Sequence, residues 1–407
     1  MSYLERSKNI FEPEPAPLPA AHWAVIPVYD ENDSLPETLK SLACALKNSP
    51  EKVCIMLVVN EPLNAPEDAV EHNRQLLASL RKNDGKYDGS LVLGRELFFI
   101  DLTDKELASK YRNVGNARKS GFDTVAAQSD GKVTAKDQLF FSLDADTAVS
   151  ANYFQAALAW SRLHRDSAGA VFHFEHRFDK DPAVERAAVC YEIYLRDYAW
   201  KLRQCGSIYN FWTIGSAFMC RASDYMRCGG MRRCAAGEDF YFLQALRKVG
   251  TVGVVPECTV YPAGRVSGRV PFGTGPAIAR GAEGEDVLLY NQRCFDLLRE
   301  FFSMAENADY ELLSGKTALP APAKLQEFLQ TLDFSNIWQK ITRNTPRNAE
   351  ALRNALQIYC DGFFIMKFCH WLENNYPEDF SRQKIDPDAD LPALLTELRE
   401  LDRRRYC

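Results

Sequence analysis

The sequence predicts an α/β fold with a mostly parallel sheet flanked by helices, followed by an α-helical C-terminal region. Three observations carry that prediction. From Trp23 onward, short apolar runs alternate with longer stretches of three-to-four-residue apolar period. The short runs are almost wholly apolar, as strands covered on both faces are. Past about residue 280 the strand-like runs stop and helical periodicity remains.

Residues 1–20 are a proline-rich lead, expected to lie as a tail over the surface. The first strand falls at Ala24–Tyr29, and the next segment sets Leu35, Leu39, Leu42, Ala43 and Leu46 on one helix face. Ser34 and Glu37 have the spacing of a capping box, and Pro36 stands in the first turn. Further strands are expected at Val53–Asn60, Leu97–Leu102, Leu139–Leu143, Ala170–Phe174 and Thr251–Val255. Helices are expected at Glu285–Met304, Ala323–Leu332 and Asn348–Asn374. The chain thus divides into a tail over 1–20, an α/β domain over 21–280 and a helical region over 281–407.

Composition narrows the function. The 407 residues carry 49 Lys+Arg against 55 Asp+Glu, a net charge of −6, which argues against a basic face for nucleic acid. With 46% hydrophobic and 26% charged residues, the chain has the apolar surface that ordering requires. The 12 cysteines are scattered without CxxC pairs, and they read as small buried hydrophobes of a reduced compartment. The acidic, proline-bearing start is unlike a secretory leader, and the apolar stretch near Phe363–Trp371 is too short to span a bilayer. A cytoplasmic location is the expectation.

Chemistry concentrates where strands end. The run Leu139–Leu143 stops in Asp144-Ala-Asp146, and in extended chain those two carboxylates point to one side. Open α/β sheets bind ligands at the carboxyl edge of their strands. A divalent ion, Mg²⁺ or Mn²⁺, satisfies such a pair and also binds a diphosphate. The structural alternative is a solvated turn in which one Asp caps the helix starting near Ser150. His173 and Glu175 share a strand face and read as a partly buried hydrogen-bonded pair, with acceptor-site lining or a third metal ligand as the alternatives. Tyr191, Tyr194 and Tyr198 recur at helical spacing, which is more often core than a sugar-stacking face.

Other pieces fall in a telling order. They are Ile26-Pro27-Val28-Tyr29-Asp30-Glu31, Gly115-Asn-Ala-Arg118, Asp144-Ala-Asp146, Gly215-Ser-Ala-Phe-Met-Cys-Arg221, Gly229-Gly230-Met231 and Gly237-Glu238-Asp239. In this order they resemble the family-2 glycosyltransferases of the GT-A fold, over about residues 22–265. The resemblance implies transfer of a sugar from a UDP- or GDP-linked donor to an acceptor hydroxyl, with a divalent metal on Asp144 and Asp146. Pro27, Tyr29, Glu31 and Asn60 would line the nucleotide base and ribose, with Asn60 standing where the family commonly has aspartate. Arg118 matches the family's arginine near the nucleotide. Asp239 matches its general base, with Glu238 assisting at the acceptor.

Arg265 and Arg269 lie in a loop of glycines and serine that can fold over a diphosphate, or serve only as a linker. The loop lacks the Gly-Lys-Ser/Thr ending of a P-loop. Two rival readings remain: a non-catalytic nucleotide-sugar binder of the same fold, and a nucleotidyltransferase. The acidic, glycine-free Tyr29-Asp-Glu-Asn-Asp disfavours the latter. The acceptor is unknown, and the C-terminal helices are candidates for closing over it or for forming a homodimer.

Overall fold

The computed structural model describes Tyr3 and residues 18–19, 21–82, 96–104, 107–127, 137–315, 319–386 and 388–406. The chain forms two compact units. One comprises Met1–Val189, Thr213–Glu285 and Pro392–Cys407; the other comprises Cys190–Trp212 and Asp286–Leu391. The units therefore interleave along the sequence, and the chain crosses between them inside the helix Pro182–Gln204.

The first unit is built on a sheet. Strands β1 (His22–Val28), β2 (Val53–Asn60), β3 (Leu97–Leu102) and β4 (Leu139–Ser142) run parallel, with β1 between β2 and β4. Every residue of β1, β2 and β4 is buried, which is why these runs read as continuously apolar. The sheet continues through β5 (Ala148–Val149), β6 (Ser167–Phe174), β8 (Phe218–Arg221) and β9 (Thr251–Tyr261), in the order β3-β2-β1-β4-β8-β6-β9-β5. Strand β8 is antiparallel to both β4 and β6, so the sheet is mixed beyond β4. Outside it, β7 (Arg177–Phe178) pairs with β10 (Ala263–Gly264).

Helices α1 (Leu35–Lys47), α2 (Glu67–Lys82), α3 (Val114–Ala127), α4 (Tyr153–Leu163), α5 (Pro182–Gln204), α6 (Ala222–Arg227), α7 (Glu238–Val249) and α8 (Thr274–Ala282) follow the strands. Leu35, Leu39 and Leu42 of α1 are buried as their period requires. The capping box does not form. Ser34 has helical dihedrals and makes no side-chain cap, and the Glu37 carboxylate goes instead to Arg177 Nη1 at 2.6 Å.

Helix α3 is buried along nearly its whole length, polar residues included. Its Asp123 is neutralised by Lys119 at 2.9 Å and accepts from the hydroxyls of Tyr225 at 2.7 Å and Tyr3 at 2.6 Å. Tyr3 is thus buried against α3 rather than lying over the surface, because the buried carboxylate recruits its hydroxyl. The rest of the expected tail, apart from residues 18–19, lies outside the described residues.

The second unit is helical around one apolar core that includes Phe295, Leu298, Phe328, Ile365 and Phe368. It departs from the expected helices at two points. Glu285–Met304 is instead a short strand, Leu288–Leu289, paired with Gln383–Lys384, and a helix, Gln292–Asn307. Strand structure therefore does not stop near residue 280. Asn348–Asn374 is two helices, Ala349–Tyr359 and Gly362–Asn375, and Asp361 caps the second by accepting from the Phe363 and Phe364 amides. Tyr194 and Tyr198 pack against this core, which is the structural role expected of them. No helix among the described residues is long and apolar enough to cross a membrane.

Candidate active site

Adjacent parallel strands end at the same edge, so β1 and β4 deliver their following residues to one place. After β1 come Tyr29, Asp30 and Glu31, with Asp30 in the left-handed region at φ 52°, which Asp tolerates better than most residues. After β4 the chain turns at once: the Thr147 amide donates to the Asp144 carbonyl at 3.2 Å. This turn replaces the extended geometry expected for Asp144 and Asp146, and their carboxylates go to two different arginines. Neither caps the next helix, which starts at Tyr153 behind Asn152.

Arg118, on α3, is fully buried between the carboxylate-bearing segments. Its Nη2 donates to Asp144 Oδ1 at 2.5 Å and its Nε to Glu238 Oε1 at 3.2 Å. Its Nη1 reaches Ser142 Oγ at 2.7 Å and the carbonyls of Leu143 and Gly215, each at 3.2 Å. Burial disfavours its charge, but Asp144 and Glu238 outweigh burial and raise its pKa above the ordinary value. The guanidinium fork therefore ties the Asp144 turn to the start of α7.

Helix α7 begins at Glu238, immediately after Gly237, whose φ of 72° is the left-handed conformation that glycine adopts without strain. Glu238 is buried and faces Arg118. Asp239 lies beside Gly215, where a Cβ would sit 3.6 Å from its Oδ2 and 3.0 Å from Arg118 Nη2. A side chain at residue 215 would press on the Arg118 guanidinium, which would have to give by a few tenths of an ångström. Burial, then the adjacent Glu238 charge, pushes the Asp239 carboxyl up to about 7. It is still partly open to water.

A second cluster lies over the turn. Arg265 donates to Asp146 Oδ2 through Nη2 at 2.8 Å and through Nε at 3.0 Å. It also binds Glu31, as does Arg269, whose Nη2 donates to the Asp30 carbonyl at 2.8 Å. Arg269 stands 5.6 Å from the centre of the Tyr29 ring. Glu31 is buried, so it anchors the loop arginines rather than lying open beside a ribose. Pro27 is buried within β1. Asn60 ends β2 buried, with its Oδ1 unpartnered.

Further residues complete the site. Gly215, which opens the Gly215–Arg221 piece of the sequence pattern, and Ser142, which the sequence did not single out, serve Arg118, and Arg177 Nη2 donates to the Asp146 carbonyl at 2.7 Å. Beside Asn60, buried Glu61 pairs with Arg112 at 3.1 Å. Only the polar ending of an otherwise apolar run hinted at Ser142, and nothing local marked Arg177 or Arg112.

His173 and Glu175 form the hydrogen-bonded pair, 3.3 Å apart. The His173 hydrogen bond holds Glu175 at about 2 against the effect of burial, with help from Arg403 at 2.9 Å. No group of three or more His, Cys, Asp or Glu side chains among the described residues is gathered to hold a metal. The Asp144 and Asp146 side chains keep 37% and 20% exposure, which suits an ion that takes one or two protein carboxylates and completes its shell with water and phosphate oxygens, as Mg²⁺ does. Asp144 and Asp146 would be those carboxylates.

No family model and no curated protein matches the chain. Among solved structures, S. aureus TarS 1-349 in complex with UDP is similar at 12% identity and a TM-score of 0.39, covering 83% of this chain and 91% of that one. A mannosyltransferase, PcManGT from Pyrobaculum calidifontis in complex with GDP-Man and Mn²⁺, is similar at 12% identity and 0.34, covering 99% and 89%.

Proposed function

We propose that the sheet unit is a glycosyltransferase that moves a sugar from a nucleotide-diphosphate donor to an acceptor hydroxyl. The observation that carries this reading is the Arg118 clamp. One buried guanidinium fixes Asp144 against Glu238, and so sets a carboxylate-rich turn beside Asp239, a carboxyl near 7 that is partly open to water. A general base works best with a pKa near the operating pH.

Asp239 takes the proton of the acceptor hydroxyl as that oxygen attacks the anomeric carbon. The bond from that carbon to the diphosphate breaks, and the nucleotide leaves with the electron pair. Glu238, held by Arg118, orients the acceptor side. A divalent ion on Asp146 and Asp144 would supply positive charge for the leaving diphosphate. Arg265 and Arg269 flank that position. Displacement assisted by one base gives inversion, which NMR of the product's anomeric centre reads directly.

The test is hydrolysis of a panel of UDP- and GDP-sugars with Mn²⁺ by the wild type, Asp146→Asn and Asp239→Asn. Wild type hydrolyses at least one donor and both variants lose that activity. If no donor is hydrolysed or bound with metal present, the glycosyltransferase reading fails.

A further inference from the structure

Asp146, one of the two carboxylates expected to hold the metal, already holds a cation of the protein's own. Arg265 grips Asp146 Oδ2 with two N–H groups and shares one of them with Glu31 Oε1. Arg269 binds that same Glu31 oxygen. Glu31 is 6% exposed and its Oε2 is buried without a partner, whereas the Arg265 and Arg269 side chains are 32% and 31% exposed. The acid is the fixed member of the cluster, and the arginines are the members that water and ligand reach. Two carboxylates face two guanidinium groups, so the cluster is neutral as it stands.

We propose that Arg265 is a positioning residue that exchanges between Asp146 and the donor's diphosphate, with Glu31 as its anchor. This rests on the glycosyl-transfer reading of the same site. A divalent ion alone must displace Arg265 from Asp146 and leaves the cluster with excess positive charge. A diphosphate arriving with the ion restores the balance, and the N–H groups released from Asp146 serve its oxygens. Metal and donor therefore bind with positive coupling, and the coupling is reciprocal. Glu31 keeps the displaced arginine beside the site and limits the entropy lost in recapturing it.

The experiment is titration of the full chain with Mn²⁺, read by the electron paramagnetic resonance of free Mn²⁺, alone and with UDP or GDP. Wild type binds Mn²⁺ weakly alone and at least about tenfold more tightly with a nucleoside diphosphate. Arg265→Gln binds Mn²⁺ alone about tenfold more tightly than wild type and gains little from the nucleotide. Arg265→Lys, which keeps the charge but loses the fork, falls between them. Glu31→Gln leaves Asp146 as the sole carboxylate for Arg265, and Mn²⁺ alone binds more weakly. Equal or weaker Mn²⁺ binding by a folded Arg265→Gln, checked by circular dichroism, overturns the proposal while donor hydrolysis still stands. Absence of Mn²⁺ binding by every protein, with or without nucleotide, overturns the metal-dependent reading as well.

Discussion

Arg118 in the sheet unit and Arg196 in the helical unit are both buried guanidinium groups, at 2% and 1% exposure. Arg196 pairs with the carboxylate of Glu192 on its own helix, one turn away, at 2.7 Å, and its guanidinium lies 6.0 Å from the centre of the Trp212 ring. Arg118 instead joins segments far apart in the chain: α3, the turn after β4, the strand approach at Gly215 and the first residue of α7. An i,i+4 pair stabilises a helix wherever that helix lies. A guanidinium that gathers separated carboxylates at the carboxyl edge of a sheet fixes a geometry that no single element supplies. A strongly perturbed buried charge with carboxylate partners remote in sequence is a candidate for function, which is why the proposed function is built on Arg118.

The sharpest way to break that comparison is to remove each arginine. Arg118→Met strands Asp144 and Glu238 beside one another, and it is expected to cost ~3–5 kcal/mol in urea unfolding and to abolish donor hydrolysis. Arg118→Lys does not restore hydrolysis, since one ammonium cannot span the same partners. Arg196→Met also costs stability, but a folded variant keeps its nucleotide affinity by calorimetry. Loss of nucleotide binding in both variants would erase the distinction.

Next in size is the proposed base. Asp239→Asn is expected to lower the transfer rate by about 10²–10⁴-fold while nucleotide binding stays near wild type. The wild-type rate rises with pH through about 7, and that limb disappears in the variant.

The same group gives a smaller effect of known sign on stability. Folded Asp239 titrates at about 7 against an ordinary 3.8, so between those values the native state holds a proton that the unfolded chain has released. Its contribution is fully present below about pH 4 and is lost as pH rises through about 7. Asp239→Asn removes that loss. The variant should be more stable than wild type at pH 8 by about 1–2 kcal/mol, with water access screening the rest, and the gap should close toward pH 4. A constant difference across that range in chemical denaturation would assign the effect to packing.

The sequence made the sheet unit more legible than its site. Runs such as Val53–Asn60 are readable because full burial demands continuous apolar residues. The acids Asp144, Asp146, Glu238 and Asp239 are readable because each follows a structural break. The cations were harder to place. Arg265 and Arg269 were visible as loop arginines, but their attachment to Glu31 depends on a fold that brings the end of β1 under a loop more than 230 residues later. Arg177 and Arg112 gave no local signal, since an arginine's reach hides its partner from any periodicity argument. In the helical unit, Asp361-Gly362 was the overlooked break, because apolar period continues on both sides of it.

That break yields the smallest and cleanest comparison between the two units. Ser34 has the residue type and spacing of a cap, yet its side chain makes no capping bond. Asp361 sits within an apolar-periodic stretch and accepts from two first-turn amides, at 3.1 Å and 3.2 Å. A cap acts by satisfying amides that lack a helical partner, and it requires an extended backbone at the cap residue. Asp361 has that backbone, at ψ 179°, and Ser34, at ψ −37°, does not. Asp361→Ala should therefore cost about 1 kcal/mol in thermal or urea unfolding, and Ser34→Ala only a few tenths. Equal losses would mean that residue type sets the capping energy and backbone conformation does not.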